Sequence, residues 1–301
     1  MFNVAVLLAT FNGAEFLEIQ LISILAQKNC KVTIFAADDG STDETTSILK
    51  KYNVTVCHTS KVGSSSANFF RLINTFFFKE TAKKYDYIAL SDQDDIWFPE
   101  KLHTAVLQLE NHFDCYSGSF FADSRIPKSR PGAVSHVCKH FKQTQFSPLF
   151  RSPGPGFTFV FTRQALQKIA SNDFFQNAFP MGSTPYRWHD WTLFAIAKAA
   201  RLSWYIDPYG YALYRLHQNN DTGLRSYKNI LVRLKFLLDG SFIGEVKKMS
   251  VICGYKEIEE RISRLSIPDR FYFLIRIHLL RSKLIDRVAL ALCILFSARP
   301  R

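Results

Sequence analysis

The sequence predicts an α/β fold, a sheet flanked by helices with a helical extension at the C-terminal end. Through about the first hundred residues, short apolar runs alternate with segments of helical periodicity, the pattern of a parallel sheet covered by helices. Polar motifs follow three of these runs, at the strand ends where ligands bind in such sheets. The length of 301 residues, with 47% hydrophobic and 21% charged, is enough to bury one sizeable core.

Residues 3–9 (NVAVLLA) and 32–37 (VTIFAA) read as buried strands. Between them Phe16, Leu17, Leu21, Ile24 and Leu25 recur at helical spacing. A helix over Asp43–Lys51, a strand at 54–57, a helix over about Ala67–Ala82 and a strand at 86–91 continue the alternation, and Pro99 opens a further helix. From about 118 to 215, runs at 157–162 (FTFVFT), 202–206 (LSWYI) and 211–215 (YALYR) extend the sheet, with helices starting near Thr162 and Trp188. Pro127–Pro155, rich in Ser, Pro, Gly and basic residues without periodicity, reads as a long loop. There is no internal repeat.

The six cysteines include no C-x-x-C pair, which argues against a zinc site or a dense disulfide framework and fits a reducing compartment. The opening MFNVAVLLATFNG lacks the basic start of a secretory leader. The longest apolar run of the C-terminal part, VALALCILF at 288–296, falls short of the roughly 18 residues a membrane span requires. Of the formal charge of +12, the chain from Arg225 onward contributes +9, with 16 Lys/Arg against 7 Asp/Glu. These cations alternate with apolar residues (FYFLIRIHLLRSKLIDRVALALCILF), which suits an anionic membrane surface better than nucleic acid. A helical cap with a solvated basic face explains the pattern equally well.

The cluster Ser91-Asp92-Gln93-Asp94-Asp95 places three carboxylates directly after a strand, where their repulsion is costly unless something positive sits among them. A divalent cation, Mn²⁺ or Mg²⁺, meets that need through hard oxygen ligands. A helix cap is the plainer explanation, but it requires only one acid. Asp38-Asp39-Gly40-Ser41-Thr42-Asp43 also joins a strand to a helix. Thr42 or Asp43 suits an N-cap there, whereas Asp39 is placed to accept the imide N–H of uracil or thymine. No G-x-G-x-x-G follows the first strand and no P-loop occurs, which argues against a dinucleotide oxidoreductase and a P-loop phosphotransferase. Asp190 lies in Trp188-His189-Asp190-Trp191, aromatic surroundings that raise a carboxyl pKa toward that of a working base and can hold a sugar ring. An N-cap role would also place an acid at Asp190.

ATFNG with Glu15, then DDGSTDET, KVGSSSANFFRLI and SDQDDIWFPEKL, together resemble the nucleotide-binding half of family 2 glycosyltransferases. The resemblance runs from residue 1 to about 225. It implies a GT-A type, Rossmann-like mixed sheet, with a nucleotide-binding half at 1–98, an acceptor half at 99–225 and a basic, apolar helical tail at 226–301. DQDDIW, WHDW and YRLHQNN are similar to the bacterial rhamnosyltransferase-like branch that builds surface polysaccharides.

The resemblance implies that Thr10, Asn12, Glu15 and Asp39 surround the base and ribose, supported by Asn68 and Arg71. Asp92 and Asp94 become the D-x-D pair, Asp92 nearer the ribose or sugar and Asp94 the more direct metal ligand, with His217 reaching the metal or diphosphate. Asp190 becomes the catalytic base of an inverting transfer, and Trp188, His189, Trp191 and Gly156 line the acceptor and sugar pocket. The implied donor is dTDP-L-rhamnose, with UDP-hexose or UDP-N-acetylhexosamine as alternatives. The implied acceptor is a lipid-linked saccharide at the cytoplasmic face of a membrane. Two departures stand out: Phe11 replaces a usual Tyr, and KVGSSSAN replaces a glycine-rich run. A sugar nucleotidyltransferase and a non-catalytic carbohydrate-binding module are the rival classes; the first usually carries a glycine-rich basic loop after its first strand, which LLATFNG lacks.

Overall fold

The computed structural model describes residues 1–78, 80–123, 134–177, 188–217, 235–281 and 284–299. Its centre is one mixed sheet. Strands β1 (Phe2–Thr10), β2 (Cys30–Asp38), β3 (Thr55–His58) and β4 (Tyr87–Ser91) are parallel and form the expected first half, in the order β3-β2-β1-β4. Beyond β4 the sheet continues through strands of both directions: β5 (Asp95–Trp97), β6 (Cys115–Asp123), β7 (Val134–Val137), β8 (Val160–Thr162) and β9 (Trp204–Arg215). The path is β4-β8-β6-β9-β5, with β7 on β6.

Strand β1 is apolar without interruption from Val4 to Ala9 because both of its faces are covered. Ala5, Leu7 and Ala9 belong to the core on one side of the sheet, and Val4, Val6 and Leu8 to the core on the other. Helices α1 (Ala14–Leu25) and α4 (Lys101–Glu110) cover the second side with Leu17, Leu21 and Ile24, and with Leu102, Val106 and Leu109. Between them in sequence lie α2 (Thr45–Lys51) and α3 (Ser65–Phe78). Helix α3 covers the first side with Phe69, Phe70, Ile73 and Phe76. After α5 (Ser147–Phe150), α6 (Arg163–Ala170) and α7 (Asp173–Asn177), helix α8 (His189–Ala199) joins α3 on that side through Leu193, Phe194 and Ile196.

The structure corrects three local expectations and adds two strands that the sequence reading did not include. The described part of the Pro127–Pro155 stretch contains β7 and α5, because Phe141, Leu149 and Phe150 supply apolar anchors that its composition obscured. The run at 157–162 is a strand only over Val160–Thr162, preceded by a 3₁₀ turn at Gly156–Thr158. The runs at 202–206 and 211–215 are one strand, β9, whose pairing with β6 steps from Gly118–Asp207 to Ser119–Gly210. Pro208, which has no N–H for the ladder, sits in that bulge. Finally, β5 and β6 carry too short or too mixed a pattern to be read as strands from their residues alone.

The tail forms α9 (Ser241–Ile252), α10 (Lys256–Arg264), α11 (Ile267–Ile275), α12 (Ile277–Leu280) and α13 (Leu284–Phe296). Its Phe242, Val246, Met249, Ile262, Phe273 and Ile294 share one core with Trp191 and Phe194. Ser266 starts α11 with a capping box to Asp269. The six cysteines are free. No helix among the described residues is long and apolar enough to cross a membrane. The 218–234 stretch, including the Gln218-Asn219-Asn220 end of YRLHQNN, lies outside the described residues.

Candidate active site

Register brings the first two motifs together. Thr10 pairs with Asp38 across β1 and β2, and Leu8 with Ser91 across β1 and β4, so the three polar segments leave the sheet at one edge. Thr10 Oγ1 donates to Asp38 Oδ1 at 2.9 Å, and Asp38 also accepts the N–H and hydroxyl of Ser41 at 2.8 and 2.5 Å. Asp38 is therefore a buried tie within the loop. Asn12, in the left-handed region at φ 44° that Asn tolerates, donates its N–H to Ser41 Oγ and accepts Thr42 N–H, both at 2.8 Å. Asp43 holds the start of α1 through Ala14 N–H at 3.0 Å and the start of α2 through the N–H and hydroxyl of Thr45. Although burial works the other way, these bonds hold its carboxyl below the usual range.

Asp39 is buried, and its carboxylate accepts N–H bonds from Val62 and Gly63. The KVGSSSAN segment thus closes over it. Asn68 and Arg71 brace the ends of β1 and β2 beside it. Asn68 Nδ2 donates to Ala37 O at 2.7 Å, and Arg71 donates to Asn68 Oδ1 at 2.6 Å, Ser60 O at 2.7 Å and Asp38 O at 3.3 Å. Burial lowers the Arg71 pKa, opposed by the charges of Asp39 and Asp38.

Gln93, between the two acids of the D-x-D pair, was not among the expected site residues. Its side chain accepts Phe11 N–H at 2.8 Å and donates to Phe11 O at 2.9 Å, fastening the acidic segment to the first loop as a strand partner would. A Cβ at Gly13 would lie 2.1 Å from Gln93 Oε1, so glycine is needed for this contact.

Strand β9 delivers the other half of the acidic centre. It pairs antiparallel with β5, Tyr214 opposite Asp95, and so brings Arg215 and His217 beside Asp94. His217 Nε2 lies 2.7 Å from Asp94 Oδ2. Arg215 is buried and donates to Asp94 O at 2.6 Å, Phe16 O at 2.9 Å and Asp95 O at 3.2 Å. Phe16 carries the His217 ring at 4.2 Å and the Arg215 guanidinium at 5.0 Å. Glu15, exposed in the first turn of α1, lies close enough to act on Arg215 by its charge. Asp95 is fully buried, and among the described residues neither carboxylate oxygen has a hydrogen-bond partner. Burial first, then the charges of Asp94 and Asp92, push its carboxyl well up, while Arg215 and Lys101 oppose them. Burial pushes Lys101 down to about 7.

This excess of acids, with a carboxylate oxygen and an imidazole nitrogen already side by side, fits a divalent cation. The fit is narrower than expected. Among the described residues, no three His, Cys, Asp or Glu side chains converge on one ion position, so Asp92 does not complete a three-sided cage with Asp94 and His217. Diphosphate oxygens and water suit the remaining positions.

The residues expected on the acceptor side gather at the N-terminus of α8. His189 N–H donates to Ser66 Oγ at 2.9 Å, coupling α8 to the start of α3 and so to Asn68. The His189 ring stacks on Phe69 at 4.2 Å, and its Nε2 is buried against Gly156, where a Cβ would lie only 2.1 Å away. Burial pushes this imidazole down to about 3, so it is neutral and acts as a packed support. Asp190 is partly buried in the first turn, and burial pushes its carboxyl up to about 6 against hydrogen bonds from Trp191 N–H and the Ser152 side chain. The N-cap position itself is Trp188.

The tryptophans divide. Trp188 is half-buried and has a ring edge against Phe236. Trp191 is buried, bonds Pro148 O at 2.7 Å through its indole N–H and stacks on Phe242. The expectation that both line the acceptor pocket is corrected for Trp191, whose ring fills the core because the tail covers it.

The model for glycosyl transferase family 2 matches residues 5–170, a span that holds the three strand-end motifs. The chain belongs to this family. Family 2 glycosyl transferases are sugar-transferring enzymes, and the mixed sheet flanked by helices is of their GT-A type. A dTDP-rhamnosyl transferase of Shigella flexneri, RfbG, is 35% identical over 255 residues, covering 81% of this chain and 83% of the relative. The fold matches that of S. aureus TarS solved in complex with UDP, at TM-score 0.54 and 16% identity over 95% of this chain and 77% of that one. It also matches a mannosyltransferase of Pyrobaculum calidifontis, PcManGT, solved with GDP-Man and Mn²⁺, at TM-score 0.51 and 13% identity over 97% of this chain and 84% of that one.

Proposed function

We propose that this family 2 enzyme transfers L-rhamnose from dTDP-L-rhamnose to a saccharide hydroxyl in the building of a surface polysaccharide, with inversion at the anomeric carbon. The observation that carries the reaction type is Asp190, a carboxylate in the first turn of α8 whose burial places its pKa at about 6. The donor assignment rests on the RfbG similarity together with the DQDDIW, WHDW and YRLHQNN motifs.

Residues 1–98 hold the nucleotide, with Asp39, Thr10 and Asn12 around the base and ribose and Asp92 near the ribose or sugar. Residues 99–225 receive the acceptor. Asp190 takes the proton of the acceptor hydroxyl as its oxygen attacks the anomeric carbon; the bond from that carbon to the diphosphate breaks, and dTDP departs. Asp94 and His217 would hold a Mn²⁺ or Mg²⁺ ion, which when bound offsets charge on the leaving diphosphate. Arg215 fixes the Asp94 backbone, and Trp188 offers an aromatic ring beside Asp190 for the acceptor. The acceptor is proposed to be lipid-linked, which places the enzyme at the cytoplasmic face of a membrane.

The test is release of nucleotide diphosphate from dTDP- and UDP-sugars, with Mn²⁺ or EDTA and with candidate acceptors. Metal-dependent turnover of dTDP-L-rhamnose, lost in Asp190→Asn, is the expected result. Turnover with a UDP-sugar alone overturns the donor, and sugar binding without turnover of any donor overturns the enzyme reading.

A further inference from the structure

Two neighbouring helices of the tail turn apolar sides outward. On α11, Ile267, Phe271 and Ile275 recur at every fourth position and are 71%, 58% and 71% exposed. On α13, Leu284, Val288, Leu292 and Phe296 follow the same spacing and are 74%, 54%, 51% and 69% exposed. Every exposed residue among those described in α13 is apolar, while Leu290, Cys293 and Ile294 on its inner side are buried in the core. A helix that ends in water carries polar residues on its outer face. Arg270 of α11 donates to Ile294 O, Leu295 O and Ser297 O at the end of α13, so the two helices form one unit.

The charge around this unit is one-sided. Residues 261–301 contain nine Lys/Arg and two Asp/Glu. Both acids are engaged: Asp269 is buried between its capping box and the guanidiniums of Arg261 and Arg264, and Asp286 pairs with Arg151 at 3.2 Å. We infer that α11 and α13 dock in the plane of an anionic lipid bilayer, their apolar stripes entering the acyl boundary and the surrounding cations meeting headgroup phosphates. At 13 residues α13 is too short to span, which leaves the in-plane arrangement. A second copy fits this face poorly, because a two-fold interface would bring the same excess of cations together. The inference deepens the proposal of a membrane-presented acceptor and is independent of the donor sugar.

Sedimentation of the protein with sucrose-loaded phosphatidylcholine vesicles, with and without roughly 30 mol% phosphatidylglycerol, is the test. Binding is expected only with the anionic lipid and should weaken with salt. Phe271→Gln combined with Leu292→Gln should lower the partition coefficient by about tenfold or more. Donor hydrolysis in the absence of vesicles should stay at the wild-type rate, which also reports that the double variant is folded. Phe271→Trp should add fluorescence that brominated lipid tails quench. Equal sedimentation of the double variant, or no binding of the wild type to anionic vesicles, overturns the inference. A wild-type dimer that the double variant splits assigns the face to a second copy and overturns it as well. Absent donor hydrolysis with intact vesicle binding counts against the transferase proposal alone.

Discussion

The ring of His217 lies flat on Phe16, 4.2 Å away and inclined by 19°, while its Nε2 reaches Asp94 Oδ2 at 2.7 Å. A residue of the first helix thereby sets the angle at which a residue after the last strand approaches the acidic motif. Removing the platform should loosen the imidazole without removing it. Phe16→Ala is expected to raise the Mn²⁺ concentration for half-maximal activity about tenfold, with kcat recovering at saturating metal. A metal titration that leaves this concentration unchanged would show that Phe16 only fills space.

Asp190 gives a pH dependence with a defined sign. A base must be ionised, so kcat/KM of the wild type should fall as pH drops through about 6. Asp190→Asn is expected to lower kcat by roughly 10²–10⁴-fold and to abolish this limb. Steady-state rates between acid and neutral pH, with metal held saturating, check both.

The same shift predicts a stability cost. Because the folded pKa is raised, folding favours the protonated carboxyl; the full stability is present below the unfolded value of 3.8 and is lost as pH rises through about 6. Asp190→Asn should therefore unfold at a higher temperature than the wild type near pH 8, by up to about 3 kcal/mol, and match it below about pH 4. Parallel melting curves at both pH values would reject the assigned burial.

Gly156→Ala would drive a Cβ to 2.1 Å from His189 Nε2. The expected loss is about 1–3 kcal/mol in stability, with a fall in activity as His189 pushes the start of α8 and Asp190 out of place. Adding His189→Ala should relieve part of the clash. A double-mutant cycle with no coupling between the two positions would contradict the packing described.

Gln93→Ala removes two hydrogen bonds to the Phe11 backbone. Because both bonds are exposed, each is worth about 1 kcal/mol or less, and the donor KM should rise roughly three- to tenfold with little change in melting temperature. A wild-type KM would show that the first loop keeps its shape unaided.

The parallel half of the fold was legible because its strands are buried on both faces and its helices repeat at their own period. Val4–Leu8 and the Leu17, Leu21, Ile24 stripe report their surroundings through residue type alone. The acidic motif was legible for a similar local reason, since three carboxylates in four positions are an electrostatic anomaly in any fold. Arg215 was missed as a site residue because its value lies in three backbone carbonyls supplied by Phe16, Asp94 and Asp95, far away in the chain. Its surface type gave no sign that it is buried.

By itself, then, the sequence determined the alternation of strands and helices, the three polar edges and the crowding of acids at Asp92, Asp94 and Asp95, because local periodicity and local charge depend on neighbours a few residues away. Tertiary structure alone decided that β9 carries His217 to Asp94, that Trp191 is core and Trp188 is not, and that α13 keeps one apolar face inside and another outside. The physical reason is common to all three: burial is shared between surfaces distant in sequence, and an aromatic or aliphatic side chain reads the same whether another element covers it or leaves it open.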